Sequence, residues 1–311
     1  MAIVSGTTAA TISGSKALQK PRLPWRYRHR QAIVAWIILI PILLYYAIFS
    51  ILPVVLNLIV SFTDWNGLSD TVQWVGLQNY ARYLRDPYPF LILNTAFFAL
   101  VILVIQTTVA FFVAVLLNQK LFGRGLYRAL WYIPTLTSAA IMAQIALAFI
   151  NPYGGVLNGL LKSVGTAPVI WTVDAGWMRM FVILFSIWRG LGSPIVLFLA
   201  ALQGISRELY EAAQVDGASP WRLLVHITIP LLKPMILFVV ITSIIGGFQI
   251  FEAVYIMTKG GPFNQTNVLL VQLYNDAFIN SNLGVASAGA MIMMVLLLWF
   301  SIVNIRMLQR G

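Results

Sequence analysis

The chain has 311 residues, of which 60% are hydrophobic and only 9% charged, and several of its apolar runs are long enough to span a bilayer. A soluble core cannot bury so many runs, and they lack the alternation of barrel strands, so the composition predicts an all-α, polytopic membrane protein. The net charge of +11 comes from basic residues at the ends of the apolar runs, which does not indicate nucleic-acid binding, and the absence of cysteine excludes disulfides and thiolate chemistry.

The first 30 residues form a polar segment that ends in PRLPWRYRHR, and we expect a flexible cytoplasmic tail there. The apolar run that follows is too long for the core of a signal peptide and ends without an A-x-A cleavage site. It therefore predicts a retained first membrane span. Residues 31–311 are expected to form one transmembrane domain, because neither an internal repeat nor a low-complexity linker interrupts them.

Six apolar runs are long enough to cross a membrane, which takes ~20 helical residues. In chain order they cover residues 33–62, 90–117, 127–150, 178–202, 235–257 and 284–305. The first run is longer than a span requires and contains Pro41 and Pro53, so we expect a kink or an interfacial extension there.

Lysine and arginine are distributed unevenly between the two sides of this six-span arrangement. With the N-terminus on the cytoplasmic side, 14 of the 20 basic residues are cytoplasmic, five lie on the other side, and Arg189 is inside a span. Cytoplasmic loops carry the excess of basic residues in membrane proteins. Both termini and the loop at residues 203–234 are therefore predicted to be cytoplasmic.

The 203–234 loop is predicted to contain two short helices separated by a turn. Ser206 is placed to cap the first helix, and Gly217 to end it in the left-handed conformation. The serine–proline pair at 219–220 starts the second helix, because serine caps well and proline suits the first helical position. Pro230 and Pro234 are expected to limit that second helix.

The length of this loop calls for an explanation, since connectors usually have a median of ~4–6 residues. One interpretation is docking on a cytoplasmic partner, for which Ala212 and Ala213 would give the first helix a flat side. The other is a passive connector that keeps two spans apart. The local sequence pattern leaves both open.

The spacing of Glu211-Ala212-Ala213, Gly217 and the later Ile-x-Ile-Pro resembles the EAA loop of the binding-protein-dependent (MetI-like) ABC importer permeases. Ile229 departs from the more usual leucine before the proline. In that family the loop is a pair of coupling helices that seats in a cleft of a cytoplasmic ATPase. The resemblance thus implies a set of ATPase-coupling residues, namely Glu211, Ala212, Ala213, Asp216 and Gly217.

The resemblance covers roughly residues 30–305 and extends to AALQGISRELYEAAQVDGAS, GGFQIFEAVYIMTKGGPFNQT and NPYGGVLNGLL. These segments resemble the carbohydrate-importing branch, in particular the maltose-type first permease subunit. Glu252 stands where the family often has aspartate, which keeps the charge. The extra N-terminal spans and large external domain of the maltose protein have no counterpart in this sequence, so a shared substrate does not follow.

The family resemblance also implies partners. They are a second homologous permease, two ATPase subunits, an extracytoplasmic solute-binding protein facing the TKGGPFNQTN loop, and a sugar substrate, in the cytoplasmic membrane of a bacterium or archaeon. The chain contains no G-x-x-x-x-G-K-[ST] sequence, so it is not expected to bind nucleotide through a Walker A loop. The resemblance implies a transport subunit and not an enzyme, with ATP hydrolysis by the partner subunits. No cofactor is expected on this chain, and ATP and Mg²⁺ would bind the ATPase partners.

Two charged residues inside spans, Arg189 and Glu252, indicate a solute path, because charge within a membrane is costly and needs a reason. On the fifth span Phe248, Gln249, Glu252 and Tyr255 fall at i, i+1, i+4 and i+7, which predicts one stripe of a helix. Aromatic faces beside hydrogen-bonding groups suit sugars, which present C–H faces and hydroxyls.

Several alternatives remain open from the sequence. Arg189 and Glu252 would instead form an ion pair between two helices, or Arg189 would meet a phosphorylated solute such as glycerol 3-phosphate. An ion-coupled carrier using both charges as a proton relay is disfavoured, because no inverted repeat is visible. Gly246-Gly247 is expected to allow close helix approach. Neither histidine has companions at metal-ligand spacing, so no metal site is predicted.

Overall fold

The structure is a computed structural model that describes residues 25–119 and 122–309. Helices dominate these residues, and the only β pairing among them is an isolated bridge between Thr63 and Trp74. The predicted all-α class is confirmed. The chain divides into two units, Met1–Val55 and Leu56–Gly311.

The first unit is built from a long apolar helix. Its elements are α1 (Trp25–Tyr46), a π-helical turn (Ala47–Ile51) and α2 (Leu52–Val60), which ends in the second unit. The stretch Val34–Val60 is apolar over 27 residues and is long enough to cross a membrane. Because α1 begins at Trp25, the last residues of the predicted tail are helical, whereas residues 1–24 lie outside the described residues.

The second unit holds the other helices. The first of them are α3 (Gln78–Arg82), α4 (Tyr88–Leu117), α5 (Arg124–Leu136), α6 (Ala139–Phe149), α7 (Val156–Ser163), α8 (Ala175–Gly190), α9 (Gly192–Gln203) and α10 (Arg207–Val215). The remaining ones are α11 (Pro220–Leu223), α12 (Ile229–Phe248), α13 (Glu252–Met257), α14 (Leu269–Tyr274) and α15 (Leu283–Gln309).

Among the described residues, four helical stretches are long and apolar enough to span a membrane on their own. They are Val34–Val60, Tyr88–Leu117, Pro220–Met257 and Leu283–Met307. Two further pairs qualify jointly but are bent, α5 with α6 by 98° and α8 with α9 by 42°. Counting each bent pair as one span gives the six spans that the sequence predicts.

The helix that leads into the fifth span does not stop at its prolines, so the prediction that Pro230 and Pro234 limit a short helix is wrong. A π-helical turn (Leu224–Thr228) joins α11 to α12, and both prolines lie within α12. The Thr228 hydroxyl donates to the Leu223 carbonyl (3.3 Å). Widened turns and hydroxyl donors of this kind allow a helix to continue past a proline.

The core of the second unit forms around α4, which packs against α12, α9 and α8. Its largest fully buried side chains include Phe98 on α4, Met178 on α8, Phe198 on α9 and Val239 on α12. Phe198 meets the ring of Phe111 edge to face at 5.8 Å. Large side chains from four helices thus interlock here, which fixes where the breaks in α8/α9 and α12/α13 come to lie.

The adjacent glycines of α12 have different surroundings. A Cβ at Gly247 would lie 2.8 Å from the Ala99 Cα and 2.9 Å from the Ala99 Cβ, so α12 approaches α4 as closely as the chain permits. A Cβ at Gly246 would have no neighbour within 4 Å. The close approach predicted for the glycine pair is therefore made by Gly247 alone.

Replacing Gly247 with alanine is expected to lower the stability of the protein, because the methyl group must push α12 away from α4. Overpacking of this kind costs about 1–3 kcal/mol. Gly246→Ala is the matched control, since it adds the same methyl group to the same helix without a contact. Thermal unfolding in detergent, followed by the loss of monodisperse protein, should separate the two variants. Equal unfolding temperatures would contradict the packing.

Candidate functional site

The 203–234 loop has both of its helices capped as the sequence predicts. The Ser206 hydroxyl accepts a hydrogen bond from the Glu208 N–H at the start of α10 (3.3 Å). The Ser219 hydroxyl accepts one from the Arg222 N–H at the start of α11 (3.4 Å), where Pro220 occupies the first turn. Each serine thereby satisfies a backbone N–H group that the helix itself leaves free.

Gly217 ends α10 in the left-handed conformation, with a φ of 79°. Its N–H donates to the Gln214 carbonyl at 3.0 Å. The N–H of Ala218 donates to the Ala213 carbonyl at 2.9 Å. These two bonds form a Schellman motif, so the conformation predicted for Gly217 is confirmed.

A side-chain contact joins α10 to the helix that follows. The Tyr210 hydroxyl lies 3.0 Å from the Thr228 hydroxyl oxygen, and Thr228 is buried in the π-helical turn before α12. Since α12 begins at the next residue, this contact connects α10 to the start of α12.

The outer face of the loop carries the residues that the family resemblance singles out. Glu211, Ala212, Asp216 and Gly217 are exposed, and Ala213 is half-buried. Three large apolar side chains are exposed as well, Leu209 (48%), Val215 (88%) and Trp221 (67%). Exposed apolar side chains on a polar loop favour a protein partner over a solvated connector.

A second candidate site is a cavity of ≈ 260 Å³ inside the bundle. Its lining includes Arg189, Gln249 and Glu252, so the structure brings three of the five predicted solute-path residues together. The cavity lies where the break between α8 and α9 faces the break between α12 and α13.

The break between α8 and α9 leaves backbone carbonyls that other helices satisfy. The Thr135 hydroxyl donates to the Arg189 carbonyl (2.8 Å), and the Gln106 amide donates to the Gly190 carbonyl (2.9 Å). Irregular backbone at membrane depth is tolerated only where such partners or a cavity exist. Gln106 also lines the cavity, so it both supports the break and adds a polar group to the lining.

The break between α12 and α13 shows that the predicted single helical stripe on the fifth span is wrong. α12 ends at Phe248, and the chain is irregular until α13 begins at Glu252. Phe248 is buried and packs against Phe300 at 5.6 Å, away from the cavity. Phe251 lines the cavity, and Tyr255 stacks on it at 5.1 Å. The helical period does not carry across three irregular residues, which is why the pattern failed.

Arg189 is not held by the ion pair that the sequence left as an alternative. Its Nε is buried without a hydrogen-bond partner. Among the described residues, no Arg189 nitrogen lies within 4.0 Å of a Glu252 carboxylate oxygen. Arg189 therefore lines the cavity without an ion pair to Glu252.

Several polar residues of the lining were not singled out from the sequence. They are Gln106, Ser186, Ser193, Thr242 and Ser243. Ser186 lies three residues before Arg189 on α8, a spacing that places residues on one helical face, and Ser193 follows the break on α9. A polar residue at helical spacing from a charge inside an apolar run is thus a sequence signal for this lining.

The lining of the cavity is chemically suited to a polar solute. It offers a guanidinium, a carboxylate, two carboxamides, hydroxyl groups and the ring of Phe251. These are hydrogen-bond donors and acceptors of the kind that a hydroxyl-rich solute needs. Within residues 25–119 and 122–309, no three His, Asp or Glu side chains come together as a metal site requires.

The chain is similar to membrane components of transport systems along most of its length. The family model described as "Binding-protein-dependent transport system inner membrane component" matches residues 120–310. The arabinooligosaccharides permease AraP of Halalkalibacterium halodurans is 32% identical, covering 88% of this chain and 87% of the relative. The lactose permease LacF of Rhizobium radiobacter is 34% identical, over 78% of this chain and 83% of the relative. The trehalose/maltose permease MalF of Thermococcus litoralis is 30% identical, over 90% of this chain and 95% of the relative.

Solved structures share the fold. A chain of a bacterial alginate ABC transporter, crystallised in complex with an alginate pentasaccharide-bound periplasmic protein, superposes with a TM-score of 0.81. The match has 22% sequence identity and covers 92% of this chain and 97% of the other. At that identity the likeness supports the fold, and the apolar helices agree with a multi-pass membrane protein.

Proposed function

Because this chain belongs to the family of binding-protein-dependent inner membrane transport components, we propose that it is the permease subunit of an ATP-driven importer for a disaccharide or oligosaccharide. The observation that carries the proposal is the cavity at the two helix breaks. Its guanidinium, carboxylate and carboxamides suit sugar hydroxyls, and the ring of Phe251 suits a C–H face. Relatives similar along most of their length are named as permeases for such sugars.

The energy would come from two ATPase subunits that bind ATP and Mg²⁺, since this sequence has no nucleotide-binding loop of the Walker type. One ATPase would seat on the outer face of the 203–234 loop. Its apolar cleft would cover Leu209, Val215 and Trp221, which are exposed in the isolated subunit. The Glu211 carboxylate would accept hydrogen bonds from a cationic group in that cleft, worth about 1.5–3 kcal/mol.

The coupling would run through a single helix. Tyr210 joins α10 to the start of α12, and α12 continues for 20 residues, about 30 Å, to the break at Gln249 that lines the cavity. When the ATPase dimer closes and moves α10, the wall of the cavity moves with it. This connection requires that the helix continue past Pro230 and Pro234, because a helix that ended at Pro230 would not link Tyr210 to the cavity.

A second permease of the same family would complete the solute path, and an extracytoplasmic binding protein would deliver the sugar to the side opposite the 203–234 loop. The cytoplasmic membrane of a bacterium or an archaeon is the proposed location, and named relatives come from both groups. Both termini would be cytoplasmic, as the distribution of basic residues predicts.

The orientation is tested by cysteine labelling, for which the absence of native cysteine is convenient. Gln214→Cys places one thiol on α10, and Ser163→Cys places one at the end of α7 on the predicted opposite side; both positions are exposed. A membrane-impermeant maleimide applied to intact cells should label Ser163→Cys and should label Gln214→Cys only after lysis. The reverse pattern would overturn the assignment of the loop to the ATPase side.

Reconstitution tests the function itself. The complex of this chain with its second permease, ATPase pair and binding protein is placed in proteoliposomes and supplied with labelled lactose, trehalose or arabino-oligosaccharide. Uptake should require ATP and should disappear when the ATPases are replaced by variants unable to hydrolyse it. Uptake that survives this replacement and collapses with an uncoupler would indicate an ion-coupled carrier instead.

The unpartnered Nε of Arg189 favours one second candidate, a phosphorylated solute such as glycerol 3-phosphate. A guanidinium binds phosphate oxygens through paired hydrogen bonds. In the same proteoliposomes, ATP-dependent uptake of labelled glycerol 3-phosphate with no uptake of the sugars would establish that candidate in place of the first.

A further inference from the structure

Four aromatic rings form a continuous array that starts at the cavity. Phe251 stacks on Tyr255 with centroids 5.1 Å apart and an interplanar angle of 12°. Tyr274 meets both rings, at 5.3 Å from Phe251 and 5.1 Å from Tyr255. Phe278 extends the array, with its centroid 5.1 Å from that of Tyr274. The function proposed above uses only Phe251, so the other three rings need an explanation.

The array is open to its surroundings. Phe251 lines the cavity, Tyr255 and Tyr274 are half-buried, and Phe278 is 69% exposed. Three successive ring-to-ring steps therefore lead from the cavity to the surface of the subunit.

The backbone beneath the array is held in place, which fixes the positions of the outer rings. Asp276, between Tyr274 and Phe278, is buried and accepts hydrogen bonds from the Gln272 amide (2.9 Å) and the Tyr88 hydroxyl (3.0 Å). These contacts tie the π-helical turn Asn275–Ile279, which carries Phe278, to α14 and to α4. A surface held in this way loses little freedom on binding, which favours affinity.

We propose that Phe251, Tyr255, Tyr274 and Phe278 form a sugar-binding surface along which an oligosaccharide passes between the exterior and the cavity. Aromatic faces pack on the C–H faces of sugar rings, and the hydroxyls of Tyr255 and Tyr274 add hydrogen bonds. Direct continuity with a polar cavity distinguishes this surface from one made for lipid. The inference rests on the proposed function and assigns it an outer binding site for several sugar units.

Uptake kinetics provide the first test. The wild-type complex is first tested for ATP-dependent uptake of lactose, trehalose and arabino-oligosaccharides. Uptake of the sugar that it imports is then measured in complexes that carry Tyr274→Ala or Phe278→Ala. Each variant should raise KM about three- to tenfold and leave the maximal rate within about twofold, and the effect should grow with chain length. Phe278→Tyr should restore the wild-type KM. Phe122→Ala, at a fully exposed phenylalanine outside the array and in a different loop, is the control and should change nothing.

Photocrosslinking identifies what touches the outer ring. With p-benzoylphenylalanine incorporated at position 278 of the complete complex, irradiation should attach the labelled sugar to this chain. Adducts exclusively with the second permease, the binding protein or lipid would overturn the inference, as would an unchanged KM in both alanine variants. If the wild-type complex imports none of the sugars, the proposed function itself fails, and this outcome is distinct because it precedes any substitution.

Discussion

Replacing Gly217 with valine is expected to reduce solute-stimulated ATP hydrolysis at least about tenfold while the protein still inserts into the membrane. The φ of 79° is unfavourable for a residue with a Cβ by about 1–2 kcal/mol, and more for a β-branched one. Relaxing that strain breaks the two bonds that close α10, and the angle between α10 and α11 changes. A loss of about 1.4 kcal/mol in the seating of the loop is a tenfold loss of coupling.

The fold itself should survive this replacement, because Gly217 is exposed and a Cβ there would have no neighbour within 4 Å. Gly165→Val is the matched control, since Gly165 has a φ of 77° and equally open surroundings but lies in a different loop. It should retain full stimulation in proteoliposomes. Gly217→Asn should retain most of it, because asparagine tolerates the left-handed conformation. Undiminished stimulation in Gly217→Val would remove the loop from the coupling path.

Local signals explain why the 203–234 loop was predictable from sequence. The Ser206 hydroxyl caps a backbone N–H two residues later. At the other end of α10, the N–H groups of Gly217 and Ala218 bond to carbonyls three and five residues before them, respectively. All the atoms that decide these ends lie within one short segment. A helix cap is therefore specified by neighbouring residues and needs no information from the rest of the fold.

The breaks that build the cavity could not be predicted in the same way. Whether α8 stops at Gly190 depends on donors from Gln106 and Thr135, which are far away in sequence. Likewise, Pro230 is accommodated by a widened turn instead of ending its helix. Whether the helix ends or continues at these positions is decided by hydrogen-bond donors from other helices or by unusual turns. A helical period drawn through residues 248–255 consequently named Phe248 and missed Phe251.

Arg189→Met is expected to leave the assembled subunit as stable as the wild type or more stable, while uptake of the solute falls. The buried Nε has no partner, so methionine removes a polar group that is not paired and keeps most of the side-chain volume. In the loaded cavity the guanidinium would bond sugar hydroxyls, each such bond being worth about 1.5–3 kcal/mol. The apparent KM should therefore rise about ten- to a hundredfold. Thermal unfolding and uptake are measured on the same preparation.

A double-mutant cycle with Glu252→Gln separates solute binding from structural pairing. Because the two side chains are not paired, their effects on the free energy of unfolding should add within ~0.5 kcal/mol. An ion pair holding two helices would instead lose its partner in each single variant, which is strongly destabilising when the charges are buried. A coupling energy above about 1 kcal/mol in unfolding would restore the ion pair that the geometry argues against. Normal uptake by the intact double variant would show that the solute passes elsewhere, since both charges that face the cavity would then be dispensable.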